Sequence, residues 1–441
     1  MWGDVIEDFL DPLGWSLDDF LQRMSGGWLF GYIRALERQG IASTLILFTK
    51  EGGAPALATH ADSGARVRIL RAPTGYRALR HVIRTPYHWL EGDGRVIVPV
   101  KFPFRTVYAL ARDAMPYLAT PVPALARVIA EEGCDAIICQ EYEEPRFDAV
   151  IAAGDRAGVP VFASFQGARA RRSRWEEGRR PRSMARVRGL IIGSELEGER
   201  VRQRYGVGAE RIARIFNPLD DSLWFPDRAP DTRRSLGIAE DALVVAWHGR
   251  VSMRHKGLDV LLDAWERARR ADSSSGRAPL HLLLIGSGES AADLTQRLSE
   301  RDDGGDVTWV ASYISDRAQM RHYLSAADVY VLPSRYEGFP VAPLEAMACG
   351  LPVIATDVEG VSDIAPRGEA DGVVTVPKED AEALAAAITR LAGDATLRAR
   401  MSEGGRRRIR AAFSLDAVGT ALARLLSGAD SSTARGGQVE A

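Results

Sequence analysis

Short runs of apolar residues alternate with stretches of helical periodicity along nearly the whole chain, a pattern that predicts parallel strands covered by helices. In the second half the runs are Leu243–Trp247, Leu280–Ile285, Val307–Val310, Val329–Leu332, Pro352–Thr356 and Val373–Val376, with helices near 257–270, 291–300, 316–326, 341–348 and 380–393. That is the signature of one doubly wound domain. In the first half, runs at Ser43–Phe48, Val67–Leu70, Asp135–Cys139, Pro160–Ser164 and Leu190–Gly193 are separated by helical stretches at 26–39, 106–118, 146–157 and 195–205, which predicts a second α/β domain. Between them the segment from Ile215 to Pro226 clusters Asn, Pro and Asp, the chemistry of a turn-rich connector. The expected division is therefore 1–216, 217–406, a terminal helix at 407–426 crossing back to the first domain, and a small, polar, disordered tail at 427–441.

The 441 residues carry 57 basic and 59 acidic side chains, a formal charge of −2, which argues against nucleic acid as the main partner. No stretch of eighteen apolar residues is present, and Asp4, Glu7 and Asp8 stand where a signal peptide has a basic start, so a cytoplasmic protein without an export signal is expected. Cys134, Cys139 and Cys349 sit in apolar surroundings without metal-ligand spacing and read as buried thiols. Only four of the basic residues are lysines (Lys50, Lys101, Lys256 and Lys378), so a lysine here is more informative than an arginine.

The most informative segment runs from Pro333 to Asp357, following a strand and opening a helix. Open parallel sheets bind ligands beyond the carboxyl ends of their strands, where helix N-termini offer free N–H groups. Glu345 falls inside the apolar run Pro343-Leu-Glu-Ala-Met-Ala348, where a carboxylate is costly unless something fixed, such as a pair of ligand hydroxyls, hydrogen-bonds to it. Taken alone, Glu337 and Glu345 are more often a solvated loop acid and a helix cap. Arg250 and Lys256 lie on a glycine-containing loop after a strand, an arrangement that suits a diphosphate, with Arg as a planar fork and Lys as a mobile charge.

Two glutamates separated by seven residues, Glu337 and Glu345, with Gly249-Arg-Val-Ser-Met-Arg-His-Lys-Gly257, Ile285-Gly-Ser-Gly288, Ala326-Ala-Asp-Val-Tyr-Val-Leu-Pro-Ser334 and Gly360-Val-Ser-Asp-Ile364 in order, closely resemble the retaining, nucleotide-sugar-dependent glycosyltransferases of family four. The first half resembles them more loosely, through Ser25-Gly-Gly27, Ser194 and Asn217. The resemblance implies the GT-B architecture, α/β, with two doubly wound Rossmann-like domains facing a central cleft. It implies hexosyl-type transfer from a nucleoside diphosphate sugar to a hydroxyl of a saccharide, lipid-linked or small-molecule acceptor, with retention of configuration. On that resemblance Arg250 and Lys256 hold the diphosphate, Glu337 positions the sugar, and Glu345 takes the ribose. Gly26 and Gly27 approach the diphosphate, Gly338 and Phe339 face sugar and phosphates, and Tyr313 meets the base, although a half-buried aromatic is an equally good reading of Tyr313. Gly286 and Gly288 stay outside the set, because a glycine pair more often just ends a strand.

No Asp-x-Asp occurs in the chain, which agrees with a site that needs no metal or other cofactor and is neutralised by Arg and Lys. Many family members carry a histidine where this chain has Gln140. Gln140 cannot take a proton, so the acceptor side is assigned to Gln140, to a proton-accepting Glu141 and to His248, each weighed against an ordinary structural role. The run Arg169 to Arg188 holds nine arginines, two glutamates and Trp175. A solvated face is its commoner meaning. Peripheral contact with acidic lipid headgroups at the inner face of a membrane, or with an anionic acceptor, is its functional one. Two other classes stay open: an epimerase or phosphorylase on the same fold, and a nucleotide-sugar binder that has lost transfer.

Overall fold

A computed structural model of the chain describes residues 5–6, 10, 14–24, 27–82, 105–167, 174–227, 230–272, 278–301, 305–314, 316–337 and 339–428. Contacts divide the chain into two compact units, Met1–Asn217 with Val418–Ala441, and Pro218–Ala417. The expected tail at 427–441 lies outside the described residues from 429 onward.

The first unit contains β1 (Thr44–Thr49), β2 (Leu57–Thr59), β3 (Arg66–Arg71), β4 (Ile137–Gln140), β5 (Val161–Ser164), β6 (Gly189–Ile191) and β7 (Ile212–Ala213). Instead of one continuous sheet, the described residues form two hydrogen-bonded sheets, β1-β3-β2 and β4-β5-β6-β7. They share a core, since Phe48 of β1 packs in one apolar cluster with Cys139 of β4 and Ala163 of β5. The antiparallel edge strand β2 escaped the sequence pattern because it is short and both its end residues are exposed.

The second unit is a single parallel sheet of β8 (Leu243–His248), β9 (Leu280–Ile285), β10 (Val307–Val310), β11 (Val329–Leu332), β12 (Val353–Thr356) and β13 (Val373–Val376). Its order, β10-β9-β8-β11-β12-β13, reverses direction between β8 and β11. Every residue of β8, β9, β11 and β12 is buried, which is why these strands read as unbroken apolar runs rather than alternating ones. Trp247 and Trp265 fill the core between sheet and helix.

The single terminal helix expected at 407–426 is two helices, Ala395–Ala412 and Leu415–Ser427. Asp394 starts the first by accepting the Leu397 N–H at 2.8 Å. The break falls at Phe413 and Ser414, where the Phe413 carbonyl accepts the Leu219 N–H and the Ser414 hydroxyl accepts the Ala417 N–H. The Ser414 hydroxyl thereby caps the start of the second helix. From Val418 onward the last helix belongs to the first unit, its Gly419 so close to helix Gly27–Glu37 that a Cβ would lie 2.2 Å from the Ala35 carbonyl oxygen.

Candidate functional site

The reversal of strand order puts the carboxyl ends of β8 and β11 side by side, and ligands of open α/β sheets bind at such a switch point. His248 is the last residue of β8, followed by the loop carrying Arg250 and Lys256; β11 is followed by the loop carrying Glu337 and the short helix Ala342–Ala348 carrying Glu345.

Two glycines let these loops approach. Gly257 has φ +65°, and a Cβ there would lie 1.9 Å from the Pro333 carbonyl oxygen, so the loop after β8 touches the loop after β11 backbone to backbone. Gly286 has φ +136°, and its Cβ would lie 1.9 Å from the Gly249 oxygen, which fastens the loop after β9 in the same way. Trp309 donates its indole N–H to the Gly286 carbonyl at 2.9 Å. The glycine pair set aside on sequence grounds therefore has a packing requirement that its spacing alone did not reveal.

Arg335 is the residue that sequence reasoning missed. Its guanidinium makes two bonds to Asp259, at 2.8 and 2.9 Å, one to Glu379 at 2.6 Å and one to the Arg254 carbonyl at 2.7 Å. Its backbone N–H goes to the His255 carbonyl, and His255 Nε2 meets the Tyr336 carbonyl at 3.1 Å. The fork of donors thus ties the two loops together. Its sequence signal is an arginine directly after the buried segment ending at Ser334, but its partner Asp259 is 76 residues away.

Within this frame Lys256 Nζ lies 2.8 Å from Glu337 Oε1, and the Ser334 hydroxyl donates to the same oxygen at 2.6 Å. Arg250 is exposed, its Nε 3.8 Å from Glu289. Glu289 is held below the usual carboxylate range by a hydrogen bond from its own backbone N–H, with further help from Ser252, Arg250 and His255. Glu345 is satisfied differently from the expectation. His248 Nε2 lies 2.9 Å from its Oε2, and Arg317 lies 3.9 Å from its Oε1. Protein groups, not only ligand hydroxyls, make its burial tolerable, and His248, expected on the acceptor side, is the partner of the ribose-assigned glutamate. Phe339 is half-buried with its ring 6.3 Å from that of Phe413, and Tyr313 is 78% exposed rather than half-buried. Gly26 and Gly338 lie outside the described residues, and Gly27 opens helix Gly27–Glu37.

The first unit carries a separate polar cluster at the carboxyl ends of β4 and β5. The Asn217 side-chain amide donates to Gln166 Oε1 at 3.0 Å, the Gln166 side-chain amide to the Ser164 hydroxyl at 3.2 Å, and that hydroxyl to Gln140 Oε1 at 2.6 Å. Every bond runs the same way and leaves the Gln140 NH2 group as the terminal donor. Glu141 is buried at φ +69°, and its two oxygens accept the backbone N–H groups of Glu143 and Gln166, each at 2.9 Å. Such a carboxylate holds a strained turn. Both of its oxygens are engaged by the backbone around that turn.

The arginine run is partly core. Its described portion forms helix Arg174–Arg186, in which Arg180 is wholly buried, 3.3 Å from Asp148 and 3.7 Å from Glu176. Trp175 remains on the surface beneath Arg179. Among the described residues no helix is long and apolar enough to cross a membrane.

Residues 29–223 match the family model described as Glycosyltransferase Family 4, and residues 242–394 match that described as Glycosyl transferases group 1. The chain belongs to glycosyltransferase family four. Among curated relatives, the D-inositol 3-phosphate glycosyltransferase of Thermobifida fusca is 30% identical over 266 residues, 56% of this chain and 59% of that protein. The chain spans about three fifths of the length of the curated relatives it matches first. Sucrose-phosphate synthase from Thermosynechococcus elongatus superposes with a TM-score of 0.62 at 22% identity, covering 93% of this chain and 95% of that one. The Anabaena protein HepE in complex with UDP and glucose gives 0.60 at 16% identity, covering 92% and 98%. The fold is accordingly GT-B, the two-unit α/β architecture of family four.

Proposed function

We propose that this chain moves a sugar from a nucleoside diphosphate sugar to an acceptor hydroxyl, with retention of anomeric configuration and without a metal ion. The observation that carries the reading is the Lys256 ammonium held 2.8 Å from Glu337 at the switch point, on the same loop as the exposed fork of Arg250. Arg250 and Lys256 meet the two phosphates of the donor. As the bond between the anomeric carbon and the diphosphate oxygen breaks, the charge gathering on that oxygen is stabilised by the two cations, preorganised donors of a kind worth roughly 3 kcal/mol each. The acceptor hydroxyl attacks from the same face, its oxygen bonding to the anomeric carbon while its proton passes to the departing diphosphate. Glu337 orients the sugar, Glu345 receives the ribose hydroxyls, and Tyr313 covers the base. Retention rests on the family's glutamate pair. Metal independence rests on the cationic pair doing the neutralisation for which an Asp-x-Asp would hold a metal.

Uracil is the first base to try, since HepE is a structural neighbour in complex with UDP. The test is thermal shift with UDP, GDP, ADP and dTDP on the wild type and on Lys256→Ala, followed by product analysis with the matching sugar nucleotides. A ligand at about one hundred times its dissociation constant adds roughly 2.7 kcal/mol. One nucleotide that raises Tm in the wild type and not in the variant, with a transferred sugar as product, supports the reading. An isomerised donor or a sugar phosphate replaces it with an epimerase or phosphorylase, and tight binding without product leaves a binding protein.

A further inference from the structure

The ribose-assigned glutamate sits on a helix of seven residues, Ala342–Ala348, too short to fix a side chain by its own hydrogen bonds. What fixes it comes from the sheet. His248 ends β8, all of whose residues are buried, and its Nε2 lies 2.9 Å from Glu345 Oε2. The His248 ring is itself held: Tyr330 of β11 packs edge-on at a centroid distance of 5.4 Å and donates its hydroxyl to the His248 carbonyl at 3.3 Å. The other ring nitrogen, Nδ1, is buried and has no hydrogen-bond partner among the described residues.

We propose that His248 is the positioning residue of the donor site, an imidazole that donates from Nε2 and aims the Glu345 carboxylate at the two adjacent hydroxyls of a ribose. The donating nitrogen follows from the surroundings of the two. A proton on Nδ1 would be a buried donor with nothing to accept it, whereas a proton on Nε2 meets a carboxylate oxygen. Glu345 then has one oxygen bonded to His248 and the other facing Arg317 at 3.9 Å. An ionised carboxylate has about four lone-pair sites, so each oxygen keeps one for a ligand, and a vicinal diol is the ligand group that presents two donors side by side. His248 therefore acts on the nucleotide only through Glu345. The inference rests on the donor-site reading above and deepens it by naming what makes that site select a ribose.

The experiment measures dissociation constants of UDP, GDP and ADP, and of the 2′,3′-dideoxy form of whichever binds, on the wild type, His248→Gln, His248→Asn and His248→Ala. Gln can place an amide N–H where Nε2 stands, and Asn cannot reach it. The expected result is that Gln stays within about threefold of the wild type while Asn and Ala lose about tenfold or more for the ribonucleotide, with the dideoxy form bound alike by all four. The loss should appear in KM for the sugar nucleotide and leave kcat nearly unchanged. A general loosening of the fold would weaken both nucleotides equally, so the ratio between them reads positioning. Should Ala not fold, the comparison of Asn with Gln reads the same ratio. A wild type that binds a nucleoside diphosphate while Asn and Gln behave alike overturns the role of His248 and leaves the functional reading standing. A wild type that binds none of the three overturns the functional reading and this inference together.

Discussion

Lys256 and Glu337 neutralise each other across the switch point, their charged atoms 2.8 Å apart and both side chains largely buried. An incoming diphosphate competes with Glu337 for that ammonium. The two substitutions should therefore separate. Lys256→Ala should abolish nucleotide-induced stabilisation and lower kcat by about 10²–10³-fold, the scale for one preorganised donor. Glu337→Gln removes the competing charge, so the nucleoside diphosphate should bind at least as tightly while transfer falls. Calorimetric titration beside a transfer assay checks both. Parallel loss of binding in the two variants would mean that the pair is a unit of structure and not a donor site.

Gly257 and Gly206 share a φ of +65°, but their surroundings differ: a Cβ at Gly257 would meet the Pro333 carbonyl oxygen at 1.9 Å, whereas one at Gly206 would meet nothing within 4 Å. Gly206→Ala should cost about 1 kcal/mol, the conformational penalty alone. Gly257→Ala must also push two loops apart, and a loss of about 3 kcal/mol would lower Tm by roughly 6–12 °C for a unit of this size. Thermal unfolding of the two variants side by side measures the steric share. Equal shifts would remove the close approach of the loops from the account of the site.

Glu141 gives a sharp division between structure and chemistry. Both carboxylate oxygens accept backbone N–H groups around a residue at φ +69°. Glu141→Gln can keep one acceptor oxygen and sets an NH2 group against the other N–H, so stability should fall by about 1–3 kcal/mol, the cost of an unsatisfied buried group. Transfer per folded molecule should stay within severalfold of the wild type at every pH. A loss of a hundredfold or more in kcat with unchanged Tm would restore proton transfer to this residue.

Residues buried on both faces of a sheet leave the plainest trace in a sequence, and β8, β9, β11 and β12 were legible for that reason; the less buried β10 and β13 showed only as short β-branched runs. The Lys256 and Glu337 loops were legible because a parallel sheet constrains where ligand loops can fall. What escaped were relations between distant positions. His248 and Glu345 stand 97 positions apart, a pair that the local surroundings of neither announce, and the lysine-poor background that singles out Lys256 says nothing of its carboxylate partner. The arginine run misled for the converse reason: composition marks Arg180 as surface, while Asp148 on another helix draws it into the core. The helix break at Phe413 and Ser414 escaped because the pairing found there, Leu219 N–H to the Phe413 carbonyl, joins segments almost two hundred residues apart.

That buried cluster around Arg180 predicts an unusual pH dependence. Burial pushes the Glu144 carboxyl up to about 7; the nearby Glu176 charge adds to the shift, and Arg146 and Arg180 oppose it. A carboxyl whose pKa is raised on folding binds its proton more tightly in the native state than in the unfolded one. Its contribution to stability is then fully present below the unfolded value of about 4.3 and is lost as pH rises through 7. Glu144→Gln carries no such term, so its stability relative to the wild type should climb between pH 5 and pH 8 by roughly 1–3 kcal/mol, at ~1.4 kcal/mol per pKa unit. Other titrating groups, the buried His60 and His281 among them, are common to both proteins and cancel in the difference. Chemical denaturation of the pair at half-unit steps of pH measures that difference directly, and two parallel curves would show that Glu144 is ionised throughout and held by its neighbours instead.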